Sequence, residues 1–440
     1  MIACPLPLLL SLVVLAADPA GGDKGLVAAV RAEKPLAAGQ REFAAAVRRI
    51  DALRGQFEFD GQGRLIGVDL AGGRISASDA DVTLLPALPH LQHLRLSGSQ
   101  ITAAGLARLT ALTGLTSLAL QDARIDDRGL LGLAVLRNLE SLTLRRMIHL
   151  TDESLDCLKN FPRLVRLALV EDEFTDRGIA RLQHLTALRA LDLRGCSAVS
   201  GAGLAQLKQC RRLVSLKIGG AGIGDAALAV LASLPALTSL AVEDAGITDA
   251  GLAQLAGLPI EDLALVRCFG VGDEGLKHLA KFKLRQLALP ETAVTGAGLA
   301  QLAGMQTLRS LTLNRCGVDD AALPQLAGLR RLAKLDLKQC PIADEGLKVL
   351  AGFQGLVALD LEGDGISDAG IASLARLEKL ETLNLAGTTV SDAAIGDLEK
   401  LVRLKMLTIT QTRISEQGAA RLRAALPHTA FVRQQDAAAP

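Results

Sequence analysis

Leu237-Thr-Ser-Leu240-Ala-Val242-Glu-Asp244-Ala-Gly246-Ile247-Thr248-Asp249-Ala-Gly251-Leu252-Ala-Gln-Leu255-Ala-Gly-Leu258 holds the architecture of this chain in one period. Leu240 and Val242 alternate with Ser239, Ala241 and Glu243. That period-2 pattern predicts a short strand with one buried face. Asp244-Ala245-Gly246 turns the chain and Ile247 re-enters the core. Leu252 and Leu255 then share one face of a helix. The opening Leu-x-x-Leu-x-Leu pattern recurs from Leu91, Leu115, Leu139, Leu164, Leu188, Leu213, Leu237, Ile260, Leu284, Leu308, Leu332, Leu356, Leu380 and Leu404, in steps of 24 residues with two of 25 and one of 23. One strand and one helix cannot bury their apolar faces alone, so successive units must stack on each other.

The start of the helix is written again in almost every unit. The position of Thr248 holds Thr102, Asp126, Thr151, Thr175, Ser200, Gly224, Gly272, Thr295, Asp319, Ser367, Ser391 and Ser415, with Ala343 as the exception. Most of these are residues whose side-chain oxygen accepts a bond from an unpaired backbone N–H at a helix start. The next position is usually aspartate, as in Asp127, Asp152, Asp176, Asp225, Asp249, Asp273, Asp320, Asp344, Asp368 and Asp392. A carboxylate there is favoured by the positive end of the helix dipole, and this reading assigns the whole column to capping. Stacked calcium sites would need Gly-Gly-x-Gly-x-Asp runs, which the sequence lacks.

Leu191-Asp-Leu193-Arg-Gly-Cys196-Ser-Ala-Val199 resembles the cysteine-containing, ribonuclease-inhibitor-like subclass of leucine-rich repeats, Leu-x-Leu-x-x-Cys-x-x-Ile-Thr-Asp. Cys268, Cys316 and Cys340 occupy the same column, and Ile247-Thr248-Asp249-Ala250-Gly251-Leu252 carries the block that follows. The resemblance spans about three-quarters of the chain. It implies an α/β leucine-rich repeat solenoid, a curved right-handed horseshoe with a parallel sheet on the concave face and helices outside. Relatives of this type include substrate receptors of ubiquitin ligases. This chain shows no F-box before the repeats and has a period nearer 24 than 26, so it is similar instead to the bacterial type, in which the array stands almost alone.

The ends read differently. Residues 1–17 read as a secretory signal peptide: Leu6 to Ala17 is apolar, too short for a normal membrane span, and closes on small residues, although no Lys or Arg precedes it. Cys4 lies too near the start for a lipoprotein anchor. Residues 18–64 read as an N-terminal helical segment with a capping hairpin. Phe43, Val47, Ile50 and Leu53 form one helical stripe, and Phe57 to Leu70 carries a Gly-rich turn. Residues 65–426 are the repeat array, and 427–440 a C-terminal cap and frayed tail. The expected localisation is exported, periplasmic or extracellular, with the cytoplasm as the alternative.

Composition narrows the function. With 48 basic and 47 acidic residues the net charge is +1, which argues against bulk attraction to nucleic acid or an anionic membrane. No Trp or Tyr is present, so a binding face must be led by charge, with arginine as its anchor. The six histidines have no cysteine or carboxylate companions at metal-site spacing, and no nucleophile elbow or phosphate loop occurs. We therefore expect no catalytic residue, no metal and no cofactor. Cys157, Cys196, Cys210, Cys268, Cys316 and Cys340 remain after signal removal. Cys316 and Cys340 stand one repeat apart, about 4.8 Å between strands, which admits a disulfide. Buried free thiols are the simpler reading.

Outward strand positions carry Arg95, Arg145, Arg166, Arg194 and Lys217, with Asp192 among them and Glu243 beyond. These five cations are the candidate partner-binding residues, and Arg145 to Lys217 would form a basic patch about four strands wide. Arginine forks bind carboxylates bidentately, so an acidic protein segment or acidic glycan fits. The expectation is a monomeric, non-enzymatic protein-interaction scaffold. The alternatives are an adaptor recruiting substrate to a separate enzyme, or an adhesive envelope protein that binds glycan or matrix.

Overall fold

The computed structural model describes residues 22–73 and 75–433. The expected signal segment and the tail after Arg433 lie outside them. By its internal contacts the chain separates into residues 1–142 and 143–440, and both units use the same strand–turn–helix repeat.

The first unit opens with helices Gly22–Arg31 and Arg41–Ala52. Phe43, Val47, Ile50 and Leu53 are buried along the second. Strand Gln56–Phe59 then pairs antiparallel with Leu65–Asp69. The Asp60 carboxylate holds the turn between them by accepting the N–H groups of Gln62 and Arg64, both at 2.9 Å. Leu65–Asp69 gives its other edge to His93–Ser97 in parallel, and that strand pairs with Ser117–Gln121. Arg49 reaches from the second helix to Asp81 at 2.5 Å, tying the N-terminal segment to the first repeat.

In the second unit parallel strands follow one another from Arg166–Val170 to Ala430–Val432. Asp262, Gln286, Ser310, Lys334, Ala358, Thr382, Met406 and Ala430 stand side by side, each 24 residues from the next. Where the period is 23 or 25, as at Ser239↔Asp262 and Ala190↔Ser215, the leucine register is kept and the odd residue is absorbed outside the strand. A one-residue slip would turn every leucine to solvent, so the core enforces this register.

The helix caps form as the sequence predicts at Thr102, Thr175, Ser200, Thr295, Ser367, Ser391 and others, whose hydroxyls accept a backbone N–H two residues on. The aspartates do more than complement a dipole. Asp225 Oδ1 accepts the Thr248 N–H of the next repeat at 2.7 Å, and its Oδ2 accepts the Thr248 hydroxyl at 2.7 Å. The same double bond joins Asp79 to Thr102, Asp152 to Thr175, Asp176 to Ser200, Asp273 to Thr295, Asp344 to Ser367, Asp368 to Ser391 and Asp392 to Ser415. Asp249 and Asp320 make the backbone half alone, to Gly272 and Ala343. The column is thus a carboxylate ladder between repeats, which corrects the reading of capping alone.

That ladder explains a glycine column. A Cβ on Gly251 would lie 2.2 Å from Asp225 Oδ1, and the equivalent carbons on Gly105, Gly178, Gly203, Gly275, Gly298, Gly346, Gly370 and Gly418 would lie 2.1–2.5 Å from the preceding repeat's aspartate. Where that residue is itself glycine, as at Gly201 and Gly296, the next repeat carries Ala227 and Ala322 instead. Ala394 follows Asp368, and there the helix starts as a 3₁₀ turn, Asp392–Ala394, before becoming α at Ile395. Pro324 sits in an element that is 3₁₀ throughout, Asp320–Gly328; Asp152–Asn160 is 3₁₀ throughout as well and holds no proline, so the proline fits the tight helix without being needed to make it.

All six cysteines from Cys157 to Cys340 are free and buried, so no bridge joins Cys316 to Cys340. Their thiols point at main-chain carbonyls: Cys196 to Leu169 at 3.1 Å, Cys316 to Leu289 at 3.0 Å and Cys340 to Leu313 at 3.1 Å. Among the described residues no helix is long and apolar enough to cross a membrane.

Candidate functional site

The chain leaves each strand through one residue with left-handed backbone. In the second unit Arg146, Glu171, Asp244, Arg267, Glu291, Arg315, Gln339 and Gln411 all have φ between 51° and 57°. Glycine takes the position at Gly195, Gly220, Gly363 and Gly387. A long side chain is strained there, and in all of these non-glycine residues but Gln411 the backbone N–H donates to a carbonyl of the next repeat, which holds the residue in place. The N–H of Glu171 donates to Arg194 O at 2.9 Å, that of Asp244 to Val266 O at 3.0 Å, and that of Arg267 to Pro290 O at 3.0 Å. The side chains form a file of alternating charge. Arg267 grips Asp244 with two bonds of 2.6 and 2.7 Å, and Arg315 lies between Glu291 at 3.4 Å and Gln339 at 2.5 Å.

Within this file, Gly195 and Gly220 are consecutive, and the buried Gly219 precedes the second of them. The result is a pit of about 380 Å³ on the strand face, walled by Arg145, Glu171, Arg194, Glu243 and Asp244. A Cβ on Gly219 would lie 2.4 Å from Glu243 O, and one on Gly195 would lie 2.9 Å from Glu171 Cγ, so both walls close tightly on the glycines.

The predicted binding residues distribute unequally around the pit. Arg145 and Arg194 line it. Arg145 donates to Glu171 at 2.6 Å, and Arg146 reaches the same carboxylate at 3.1 Å. Their bonds hold the Glu171 carboxyl below its ordinary range. Arg194 forms a two-pronged pair with Asp192 at 2.9 and 2.8 Å, which raises the guanidinium pKa, and stands 3.8 Å from Glu243. Lys217 lies one column away, 4.0 Å from Asp192. Arg166 lies a further column off, level with Ala190 at the start of the strand, and among the described residues makes no ion pair. Arg95 belongs to the first unit, where it pairs with Asp69 at 3.2 Å.

The geometry therefore replaces a basic patch with a charge-matched site. Arg145, Arg146, Arg194 and Lys217 face Glu171, Asp192 and Glu243, leaving one net positive charge. Glu171 and Asp244 escape a sequence reading because they occupy the left-handed position, outside the period-2 register. One donor stays open for a ligand: Arg194 Nη1 has only its 3.8 Å approach to Glu243, whereas Arg145 Nε lacks an acceptor but is buried out of a ligand's reach.

Sequence reading also missed two carboxyls. Asp172 and Asp364 sit in the cysteine column, each only 4% exposed. Asp172 Oδ1 accepts the Met147 N–H at 2.6 Å and Asp364 Oδ1 the Cys340 N–H at 2.9 Å, while both Oδ2 atoms lack a partner. Burial pushes Asp172 up to about 6 and Asp364 up to about 8. The same burial raises Cys196 and Cys340 to about 12, and Cys210 and Cys268 to about 11.

Stacked strand–turn–helix repeats with inward leucines define the class, and a family model of the leucine-rich repeat matches residues 87–109 and 331–351. The chain is a leucine-rich repeat protein with an α/β solenoid fold. Among solved structures it is similar to an internalin of Listeria monocytogenes, at 21% identity over 94% of this chain and 95% of that one with a TM-score of 0.42. A leucine-rich repeat protein of Leptospira interrogans shares 18% identity over 79% of this chain and 80% of its own, with a TM-score of 0.41. TLR13 in its complex with ssRNA13 shares 16% identity over 77% of this chain and 53% of its own, with a TM-score of 0.44. No curated protein sequence matches the chain. Leucine-rich repeat folds commonly serve as protein-interaction scaffolds.

Proposed function

We propose that this chain is an exported, non-enzymatic protein-binding scaffold whose strand-face pit receives an acidic side chain of its partner. The observation that carries this reading is the gap left by Gly195 and Gly220 between Glu171 and Asp244, walled by Arg145 and by Arg194, whose Nη1 has only a 3.8 Å approach to Glu243. Arg194 Nη1 offers an N–H to an incoming carboxylate, and a hydrogen bond between charged groups is worth about 1.5–3 kcal/mol. Glu171 and Asp192 already hold the two guanidiniums in place, so little side-chain entropy is lost when a partner docks. The near-neutral balance favours a partner group that presents a carboxylate flanked by a cation, the cation facing Glu243 and Asp244. Export rests on the apolar stretch Leu6 to Ala17 and its small-residue end. N-terminal sequencing of protein from the envelope fraction checks it, with a cut near Ala17 expected and an intact Met1 refuting it.

The binding test is affinity capture with mass-spectrometric identification, comparing wild type, Arg166→Glu and the double variant Arg145→Glu/Arg194→Glu. A partner held by the first two and lost from the third, at unchanged melting temperature, supports the pit. Capture should also weaken as salt rises, because the rim charges are exposed. Equal capture of the same partner by the double variant refutes it.

A further inference from the structure

In most repeats two residues separate the last apolar residue of the helical side from the first leucine of the next strand, as in Leu234-Pro235-Ala236-Leu237 and Met305-Gln306-Thr307-Leu308. Two successive repeats of the second unit have only one: Leu258-Pro259-Ile260 and Phe282-Lys283-Leu284. The two shortened connections lie next to each other and leave a cleft of about 370 Å³ between them, lined by Leu258, Pro259, Ile260, Phe282 and Glu261 and rimmed by His278, Lys281 and Lys283. Phe282 shows the consequence. The phenylalanines at the equivalent position elsewhere are buried, Phe161 at 1% and Phe353 at 9% exposure, whereas Phe282 is half-buried against the cleft.

The floor is apolar and the rim is cationic. Glu261, the one carboxylate in the lining, is engaged by Arg285 at 3.1 Å. Lys281 and Lys283 are exposed, and among the described residues neither makes an ion pair. His278 adds a third donor. An apolar floor under two unpaired ammonium groups is complementary to a ligand with an apolar body and one carboxylate. The volume falls within the roughly 300–1,000 Å³ of small-molecule sites. We propose that this cleft is a binding site for an amphiphilic monocarboxylate of small-molecule size. The hydrocarbon would pack on Leu258, Ile260 and Phe282, with the carboxylate between Lys281 and Lys283. The site is separate from the strand-face pit and does not rest on the reading of that pit.

Isothermal titration of the purified chain with octanoate, and with 1-octanol as its uncharged counterpart, tests this. Ala256 is an exposed residue of the lining, so Ala256→Trp fills the cleft without touching the core. Lys281→Glu/Lys283→Glu reverses the rim, and far-UV circular dichroism checks that both variants fold. The expected result is one saturable octanoate site, with octanol and the reversed rim each weaker by about tenfold, the equivalent of ~1.4 kcal/mol, and no binding to Ala256→Trp. The proposal is overturned if wild type shows no saturable octanoate binding at millimolar concentration. Equal affinity for octanol, or binding that survives both variants, overturns it as well.

Discussion

Replacing Gly251 by alanine tests the carboxylate ladder at its tightest joint. On intrinsic propensity alone the change should help, since alanine in a helix is favoured over glycine by about 1 kcal/mol. The structure opposes this, because the new Cβ would lie 2.2 Å from Asp225 Oδ1. The carboxylate must move, and its two bonds to the Thr248 N–H and hydroxyl, both 2.7 Å, are strained or lost. Hydrogen bonds to a charged group are worth about 1.5–3 kcal/mol each, so partial loss of the pair outweighs the propensity gain. The repeat has one escape, visible where Ala394 follows Asp368: the bonds to Ser391 survive at 2.6 Å while the helix start tightens to a 3₁₀ turn. Gly251→Ala should therefore destabilise by a net ~1–3 kcal/mol, the lower figure applying if the helix start tightens.

A double-mutant cycle isolates the cause. In an Asp225→Gly background the preceding residue matches Gly201 and Gly296, which natural alanines already follow, so Gly251→Ala should there be neutral or stabilising. The coupling between the two sites should exceed ~1 kcal/mol. Urea melts followed by far-UV circular dichroism suit a chain without tryptophan or tyrosine. Additive effects, or a stabilising Gly251→Ala beside an intact Asp225, would refute the ladder as the reason for the glycine column.

Three further outcomes follow from the burial pattern. Asp364 is raised from an ordinary carboxyl value to about 8 by burial. Its contribution is thus fully present below pH ~4 and is lost as pH rises through 8, and Asp364→Asn should flatten this part of the stability profile by on the order of a few kcal/mol; parallel melting curves for the two proteins between pH 5 and 9 would count against it. With Cys196, Cys210, Cys268 and Cys340 raised to about 11–12, a thiol reagent should label none of these in the native chain at pH 8 and all after unfolding, read by intact mass. Leu240→Ala, at a position 1% exposed, should cost about 2–5 kcal/mol and Ala241→Ser less than about 0.5 kcal/mol, whereas equal losses in denaturant melts would place the strand register one residue away.

The repeat could be read from sequence because its core is periodic. Leu240 and Val242 alternate on one face, Leu252 and Leu255 share another, and the 24-residue step fixes which strands become neighbours. The function of the aspartates could not be read in this way. Asp225 looks like a helix-start residue within its own repeat, yet its partner Thr248 lies 23 residues away, and only stacking brings the two together. The glycine three residues past each cap likewise looks like a weak helix former until the carboxylate of the previous repeat occupies the space of its side chain.

The strand-face site shows the same division between periodic and local signals. Period-2 counting located Arg145, Arg194 and Lys217 on one face but passed over Glu171 and Asp244, because a left-handed residue ends the alternation and sends its side chain back over the strand ends. The same column carries Arg146, so the omitted residues have both signs, and what the count passed over is the pairing of Arg145 and Arg146 with Glu171. In a stacked repeat the residue that breaks the local pattern recurs in every unit, and its side chains form a file of their own. The pit lies where that file loses two side chains in succession, at Gly195 and Gly220. Reading the pattern-breaking column as a surface in its own right would have placed the two glycines between Glu171 and Asp244, and with them the candidate site.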